Sequence, residues 1–218
     1  MKTLRHSPSS LDTWTNCPRL WKAKYIDKVV PYVENPAATR GTEIHTKLEN
    51  GVKSGTPPKD VWAPPGLIEA LHTKGALVEE KMGLTTKGEV VPFNSPDAKL
   101  RGVMDVYLQV GNQALIIDWK TGKVRPKKLQ ADVYTTFAQA LIGPHAEVSF
   151  RFVYVDQKQT VELNRDADAP TRVFELIAEV EADTEHLPQP GWLCRFCDYY
   201  ACRYNENPTK YAREKDDE

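Results

Sequence analysis

The 218-residue sequence lacks any apolar run near the roughly 18 residues that a membrane-spanning helix needs. It also lacks the apolar stretch of a signal peptide after its first charges, and it contains no P-loop for a nucleotide. Net charge is nearly absent, since 29 basic and 30 acidic side chains give −1 at pH 7. These absences predict a cytoplasmic protein that contacts no membrane and uses no nucleotide cofactor. Any polyanion must be recognised through a local basic segment.

One basic segment stands out in the second half of the sequence. Its five cations lie within nine residues: Lys120, Lys123, Arg125, Lys127 and Lys128. Taken alone, this run is typical of a solvated loop followed by the start of a helix. Its position at the end of the aspartate motif described below favours a role in binding a polyanion.

Four cysteines without a secretion signal favour metal or redox chemistry over disulfides. Cys17 is isolated near the N-terminus, whereas Cys194, Cys197 and Cys202 are clustered near the C-terminus. The Cys-x2-Cys-x4-Cys spacing suits three thiolates at one metal centre, and Cys17 is the remaining cysteine for a fourth position. Zinc is the general expectation for four thiolates, and four buried thiols without a metal are the plainest alternative.

The hydrophobic pattern predicts helices before and after a strand-rich middle. A capped N-terminal helix is interrupted at Pro18, and a loop follows at Pro31–Pro36. Further helices are predicted at 42–52, between Pro65 and Met82, at 127–142 and at 171–182. Strands are predicted at 101–110, 113–119, 148–155 and 160–163. This order predicts an α/β fold with a central mixed β-sheet flanked by helices.

A two-residue turn at 111–112 sets the register of the two central strands. If Val110 pairs with Gln113 across this Gly-Asn turn, the same register places Asp105 directly opposite Asp118. A longer loop with the same centre leaves that register unchanged. The sequence therefore predicts two carboxylates facing each other across a hairpin.

Strand alternation adds a lysine to this pair, because Asp118 and Lys120 share one face while Trp119 points to the other. Opposed carboxylates repel each other, and a bound divalent cation such as Mg²⁺ removes the conflict. Lys120 could then orient or help to deprotonate a water molecule and stabilise charge on a phosphate. The alternative is a structural pair of edge aspartates, Asp105 and Asp118, that Lys120 neutralises.

Three other acidic residues compete for a role in the site. Pro96-Asp97 is a literal Pro-Asp pair upstream of the same strand, but its surroundings predict a turn that is well away from Asp118. Glu79 and Glu80 end the helix predicted before Met82 and could supply an additional acid, but we interpret both as the solvated end of that helix. Asp105 is therefore the preferred partner of Asp118.

Several segments in order resemble the PD-(D/E)XK nuclease superfamily, and more specifically its RecB-like branch. The matching segments run through most of the chain: Arg40-Gly41-Thr42-Glu43-Ile44-His45, Arg101-Gly102-Val103-Met104-Asp105, Ile117-Asp118-Trp119-Lys120-Thr121-Gly122 and Gln130-Ala131-Asp132-Val133-Tyr134. The resemblance implies a restriction-endonuclease-like core and a Mg²⁺- or Mn²⁺-dependent site. In that site His45, Asp105, Asp118 and the backbone carbonyl of Trp119 would be metal ligands.

The same resemblance gives roles to residues that are ambiguous alone. Gln130 and Tyr134 share a helical face that would meet the active site and position Lys120 or a DNA strand. Taken alone, they are an ordinary polar–aromatic surface pair, and His45 is a half-buried histidine satisfied by a backbone carbonyl. Lys120 would act in catalysis, and the rest of the basic segment would bind DNA.

The cysteine arrangement resembles that of iron–sulfur nucleases in this branch, including the AddB nuclease domain and CRISPR-associated RecB-like exonucleases. The resemblance implies a [4Fe-4S] cluster held by Cys17, Cys194, Cys197 and Cys202, although the last spacer has four residues where five is common. The cluster would be a clasp joining the N- and C-terminal segments. We expect a single domain over 1–218, with its core at about 40–185 and an iron–sulfur subdomain at about 7–30 plus 190–205.

These observations together predict a metal-dependent deoxyribonuclease, specifically an exonuclease that acts on DNA ends and prefers single strands. Recombination, repair and phage DNA processing are compatible settings, and a single-strand annealing or recombination protein is a candidate partner. A non-catalytic DNA-end- or partner-binding module with the same fold is the main alternative. The intact trio of Asp105, Asp118 and Lys120 argues against it. A zinc-stabilised structural protein is the second alternative.

Overall fold

The computed structural model of the protein describes residues 4–31, 35–164 and 167–207. The chain divides into two compact units, one formed by residues 1–8 and 34–176 and the other by 9–33 and 177–218. None of the helices in the described ranges combines the length and the apolar character needed to cross a membrane.

The larger unit is built on a mixed six-stranded sheet with the order β2-β1-β3-β4-β5-β6. Its strands are β1 (Leu77–Leu84), β2 (Val90–Pro92), β3 (Leu100–Val110), β4 (Gln113–Lys120), β5 (Glu147–Tyr154) and β6 (Gln159–Asn164). Only β4 and β5 run parallel, and the other neighbouring pairs are antiparallel. The predicted mixed sheet flanked by helices is therefore confirmed.

The register predicted for the central hairpin is confirmed as far as its regular pairing extends. Val110 pairs with Gln113, and the ladder continues to Val106 and Ile117. The next position in this register is Asp105, where regular pairing stops. The tight turn at 111–112 explains why local sequence was sufficient to fix this pairing.

Helix α5 (Lys128–Ile142) connects the parallel strands β4 and β5, as such a crossover usually does. It covers one face of the sheet with a buried aromatic contact. The ring of Tyr134 stacks on that of Phe150, with centroids 5.9 Å apart, and Phe150 in turn contacts Phe152 edge-on at 4.7 Å. In this unit Arg172 of α6 (Ala169–Ala182) forms an ion pair with Asp132 of α5.

The opposite face of the sheet packs against α3 (Pro36–Ser54) and α4 (Leu67–Thr73). Leu48 of α3, Trp119 of β4 and Val153 of β5 belong to this apolar core. Helix α3 begins six residues before the predicted start at Thr42. The earlier start is explained by Asn35, whose side-chain oxygen accepts a hydrogen bond from the Ala37 N–H, and by the proline that follows it.

The helix predicted between Pro65 and Met82 is wrong in its second half. It ends at Thr73, and Gly75 then adopts the left-handed conformation (φ 71°) that commonly terminates a helix. The following segment is β1, whose last residues are buried. The edge strand β2 was not predicted, because three residues carry too little periodicity.

The smaller unit joins the two ends of the chain by side-chain contacts. It contains α1 (Pro8–Asn16), most of which lies here, α2 (Pro18–Trp21), a π-helical turn (Lys22–Ile26) and a 3₁₀ segment (Trp192–Phe196). The predicted interruption at Pro18 is confirmed. The indole N–H of Trp14 donates to Asp183 Oδ2 at 3.0 Å, and the rings of Trp21 and His186 lie 5.6 Å apart.

Candidate active site

Asp105 lies where regular pairing between β3 and β4 stops. Its Oδ2 accepts a hydrogen bond from the backbone N–H of Trp119 at 2.8 Å, so the side chain takes the place of a backbone partner. The same Oδ2 lies 3.3 Å from Nδ1 of His45 on α3. The structure therefore brings together His45 and Asp105, which are far apart in the sequence.

Side-chain alternation along β3 shifts at the level of Asp105. A Cβ at Gly102 would meet the rings of Phe137 and Tyr134, so this position faces α5. Val106, with the same parity, packs instead in the core formed with α3. A strictly regular strand would place both positions on one face. The shift allows the carboxylate of Asp105 to contact both His45 of α3 and the Trp119 N–H.

Glu79 on β1 joins this group. Its neighbours Val78 and Glu80 pair with Val106 and Met104, so it lies at the level of Asp105, and its φ of 52° is unusual for a strand.

One ligand atom from each of three residues lies within 4.8 Å of the others: His45, Glu79 and Asp105. Burial, followed by the charges of Asp105 and Glu49, raises the pKa of Glu79. The interpretation of Glu79 and Glu80 as a solvated helix end is wrong, because both lie in a strand. Carboxylate and imidazole groups at this spacing are a suitable ligand set for a divalent cation such as Mn²⁺.

Asp118 is almost fully buried, with 4% of its surface exposed. Gln130 Nε2 donates to Oδ1 at 2.5 Å, and Lys120 Nζ lies 2.6 Å from Oδ2. Because Asp118 is buried, its negative charge needs compensation, and Lys120 supplies one cation at Oδ2.

The electrostatic environment of Asp118 also favours a bound cation. Burial and the negative charge of Asp105 raise the pKa of Asp118 to about 7, although Lys120 and His45 partly oppose this rise. For His45 itself, burial lowers the pKa, but the hydrogen bond and charge of Asp105 outweigh it and leave the pKa raised. The group therefore carries more negative charge than its own cations compensate, which favours a bound metal ion.

Gln130 and Tyr134 lie on one face of α5 but contact different parts of the site. Gln130 reaches the carboxylate of Asp118 directly. The hydroxyl of Tyr134 instead donates to the backbone carbonyl of Val103 at 2.7 Å, two residues before Asp105. Burial and the charges of Asp118 and Asp105 raise the pKa of Tyr134 far above its usual value, so the hydroxyl remains a donor. Tyr134 therefore supports the β3 backbone.

The other predicted site residues are distributed as follows. The side chain of Trp119 is buried in the core, and its carbonyl stays a predicted ligand. The cations of the basic segment after Lys120 are exposed in the loop between β4 and α5 and at the first residue of α5: Lys123, Arg125, Lys127 and Lys128. Asp97 lies in a turn, as predicted, and its N–H donates to Ser95 Oγ at 3.2 Å.

The four cysteines belong to the smaller unit, and none of them is in a disulfide bond. They line one cavity of about 480 Å³: Cys17, Cys194, Cys197 and Cys202. Burial raises the pKa of the Cys197 thiol, and the charges of the other three sulfur atoms raise it further. The isolated N-terminal cysteine therefore lines the same cavity as the three C-terminal cysteines.

Comparisons with known proteins identify the family of the chain. A model of the PD-(D/E)XK nuclease superfamily matches residues 5–82 and 72–202. The crystal structure of SSO0001 is similar, with a TM-score of 0.54 and 16% sequence identity over 92% of this chain and 87% of that chain. At this identity the likeness concerns the fold alone. A comparison with curated proteins gives no match. Since the family model spans well over half of the sequence, the chain belongs to the PD-(D/E)XK nuclease superfamily.

Proposed function

We propose that this metal-dependent nuclease is a deoxyribonuclease of the RecB-like branch that degrades DNA from its ends. The observation that carries the proposal is the grouping of His45, Glu79 and Asp105 beside Asp118 and Lys120. Three neighbouring carboxylates repel one another unless a cation lies between them. A purely structural pair of edge aspartates would need neither Glu79 nor His45.

Each residue has a distinct task in this proposal. His45, Glu79, Asp105 and Asp118 would hold the divalent ion. When bound, Mg²⁺ or Mn²⁺ polarises a phosphate oxygen and lowers the pKa of water. Lys120, held 2.6 Å from Asp118, would donate to the phosphate oxygen that gains charge during hydrolysis. Gln130 would keep the Asp118 carboxylate in a fixed orientation through its hydrogen bond.

DNA is the proposed substrate, and the exposed basic segment would contact its phosphates. Exonuclease action, a preference for single strands and a recombination or annealing protein as partner rest on the resemblance of the motifs to the RecB-like branch. The alternative of a non-catalytic binding module gives no role to the ion pair of Lys120 with Asp118 beside the group of His45, Glu79 and Asp105.

A [4Fe-4S] cluster is proposed for the cavity that the four cysteines line. The proposal rests on the one-plus-three split of the cysteines along the chain, which resembles that of iron–sulfur nucleases, and on their shared lining of this cavity. The cluster would be structural and would stabilise the smaller unit. Iron and acid-labile sulfide in purified protein, with visible absorption that is lost on reduction, would support it. Stoichiometric zinc in a colourless protein would contradict it.

The nuclease proposal is tested with end-labelled single- and double-stranded DNA in Mg²⁺ or Mn²⁺. Asp118→Ala is the variant expected to be inactive. Asp97→Ala is the matched control, because Asp97 follows Pro96 in a turn and is not one of the proposed site residues. We expect cleavage by the wild type and the control but not by Asp118→Ala. Early release from one labelled end would give the polarity. Equal cleavage by Asp118→Ala would contradict the assignment and favour a binding module or a contaminating enzyme.

A further inference from the structure

The loop at 121–127 that carries much of the basic segment is attached to the end of β5. The backbone N–H of Val155 donates to the carbonyl of Lys120 at 2.9 Å, where the loop begins. Near the far end of the loop, the N–H of Arg125 donates to the hydroxyl of Tyr154 at 3.1 Å. These two hydrogen bonds attach both ends of the loop to the end of β5, so its conformation is specified by the fold.

Asp156, in the turn after β5, adds a third attachment and links the loop to α3. Its Oδ2 accepts a hydrogen bond from the Gly122 N–H at 2.9 Å. Arg40 of α3 donates Nη1 to Oδ2 at 3.0 Å and Nη2 to Oδ1 at 2.7 Å. Arg40 lies on the helix that carries His45, five residues before it. The carboxylate of Asp156 thus joins the loop after Lys120 to the helix of a proposed metal ligand.

This ion pair is poorly placed to stabilise the fold as a whole. The side chains of Arg40 and Asp156 are 55% and 27% exposed, and exposed pairs contribute little to stability. A two-pronged guanidinium–carboxylate contact does, however, fix orientation. Gly122 has a φ of 84°, and an added Cβ would meet no atom within 4 Å in the described chain. Glycine at position 122 therefore allows the positive φ at which its N–H donates to Asp156, and the choice of glycine is not explained by lack of space.

We propose that Arg40 and Asp156 are positioning residues for the DNA substrate. They fix the basic loop at 121–127 relative to α3, so that the exposed cations present a phosphate to the metal group. This inference rests on the proposed nuclease function. Neither residue touches the reacting atoms in this proposal, and both act through the backbone of Gly122.

The same contacts indicate which kinetic constant depends on the pair. Lys120 keeps its place in β4 without Asp156, because it pairs with Tyr154 in the β4–β5 ladder and its carbonyl is bound by Val155. Loss of Asp156 should therefore leave the chemical step nearly intact. It should loosen the loop that binds the strand, which raises KM for DNA.

The test compares Asp156→Ala and Arg40→Gln with a matched pair on the same hairpin. Arg151 and Glu162 form another partly exposed ion pair, with Nε and Oε2 2.9 Å apart, on β5 and β6. We expect KM for end-labelled DNA to rise roughly tenfold in Asp156→Ala and Arg40→Gln, with kcat within about twofold. Arg151→Gln should change neither constant. Arg40→Lys keeps the positive charge but not the two-pronged guanidinium contact, so it should bring KM only part of the way back to the wild-type value.

Hydrogen exchange at the Gly122 amide separates this inference from the nuclease proposal. The amide should exchange faster in Asp156→Ala and Arg40→Gln than in the wild type or Arg151→Gln, whether or not the protein cleaves DNA. If the wild type cleaves nothing, the nuclease proposal fails, and weaker binding of labelled DNA by Asp156→Ala would still support the positioning role. A fall in kcat at unchanged KM, or exchange and binding that match the wild type, would overturn it.

Discussion

Replacing Asp118 with asparagine should stabilise the metal-free protein at pH 8. The sign follows from the raised pKa of a carboxyl group. Below the ordinary pKa of 3.8 the folded and unfolded states both hold the proton, so the residue has no effect. As pH rises towards 7, the unfolded state loses the proton while the folded state keeps it, and stability falls. Asparagine is neutral throughout and avoids this loss.

The magnitude of the stabilisation follows from the size of the pKa shift of Asp118. A rise in pKa from 3.8 to about 7 corresponds to about 4 kcal/mol of lost stability above pH 7. The pKa of about 7 already includes the attraction of Lys120, so the loss of that ion pair does not have to be subtracted from this free energy. Gln130 can still donate to the remaining oxygen. We therefore expect the substitution to add about 2–4 kcal/mol at pH 8, or roughly 5–15 °C in Tm for a chain of this length.

The assay is thermal unfolding of EDTA-treated wild type and Asp118→Asn at pH 8 and pH 4. The difference should be large at pH 8 and nearly absent at pH 4. Asp156→Asn is a control of opposite sign and much smaller size, because Arg40 and the Gly122 N–H lower the pKa of Asp156 but the ion pair is exposed. An Asp118→Asn protein less stable than the wild type at pH 8, or a difference independent of pH, would refute the reasoning.

Three further substitutions test the packing and the ligand set. Gly102→Ala should cost about 1–3 kcal/mol, because its Cβ would lie 2.8 Å from the ring of Phe137. The control Gly41→Ala, with its nearest contact at 3.7 Å within a helix, should gain about 1 kcal/mol in the same thermal unfolding series. Tyr134→Phe should lose about 1–2 kcal/mol by urea unfolding, since a β3 carbonyl loses its donor; an unchanged midpoint would contradict this. Glu79→Gln should weaken Mn²⁺ binding, measured by calorimetry, by about tenfold or more, and unchanged affinity would remove Glu79 from the ligand set.

The part of the site that lies on one hairpin was predictable from sequence. A two-residue turn at 111–112 and an apolar strand leave one register that buries the core, so Val110 pairs with Gln113 as expected. Regular pairing ends one position before Asp105, whose carboxylate instead accepts a hydrogen bond from the Trp119 N–H. The helix of Gln130 was equally accessible, because its pattern is long and its position after β4 suits a crossover.

The missed parts depend on pairing between distant segments. Glu79 lies beside Asp105 only because β1 pairs with β3, and two adjacent glutamates after an apolar run are also compatible with a helix end. The apolar Leu77-Val78 pair after Gly75 was the local signal that could have indicated a strand. The ion pair of Arg40 with Asp156 spans 116 residues and has no local signal.

Metal-dependent cleavage of DNA is the most direct test of the central claim. Protein stripped with EDTA would be titrated with Mn²⁺ while the loss of end-labelled DNA is followed, in the wild type and in Asp105→Ala. We predict no cleavage by the stripped wild type, full recovery with Mn²⁺, and no recovery in Asp105→Ala. Cleavage by the stripped protein, or equal recovery in both, would contradict a metal-dependent nuclease site built on His45, Glu79, Asp105 and Asp118.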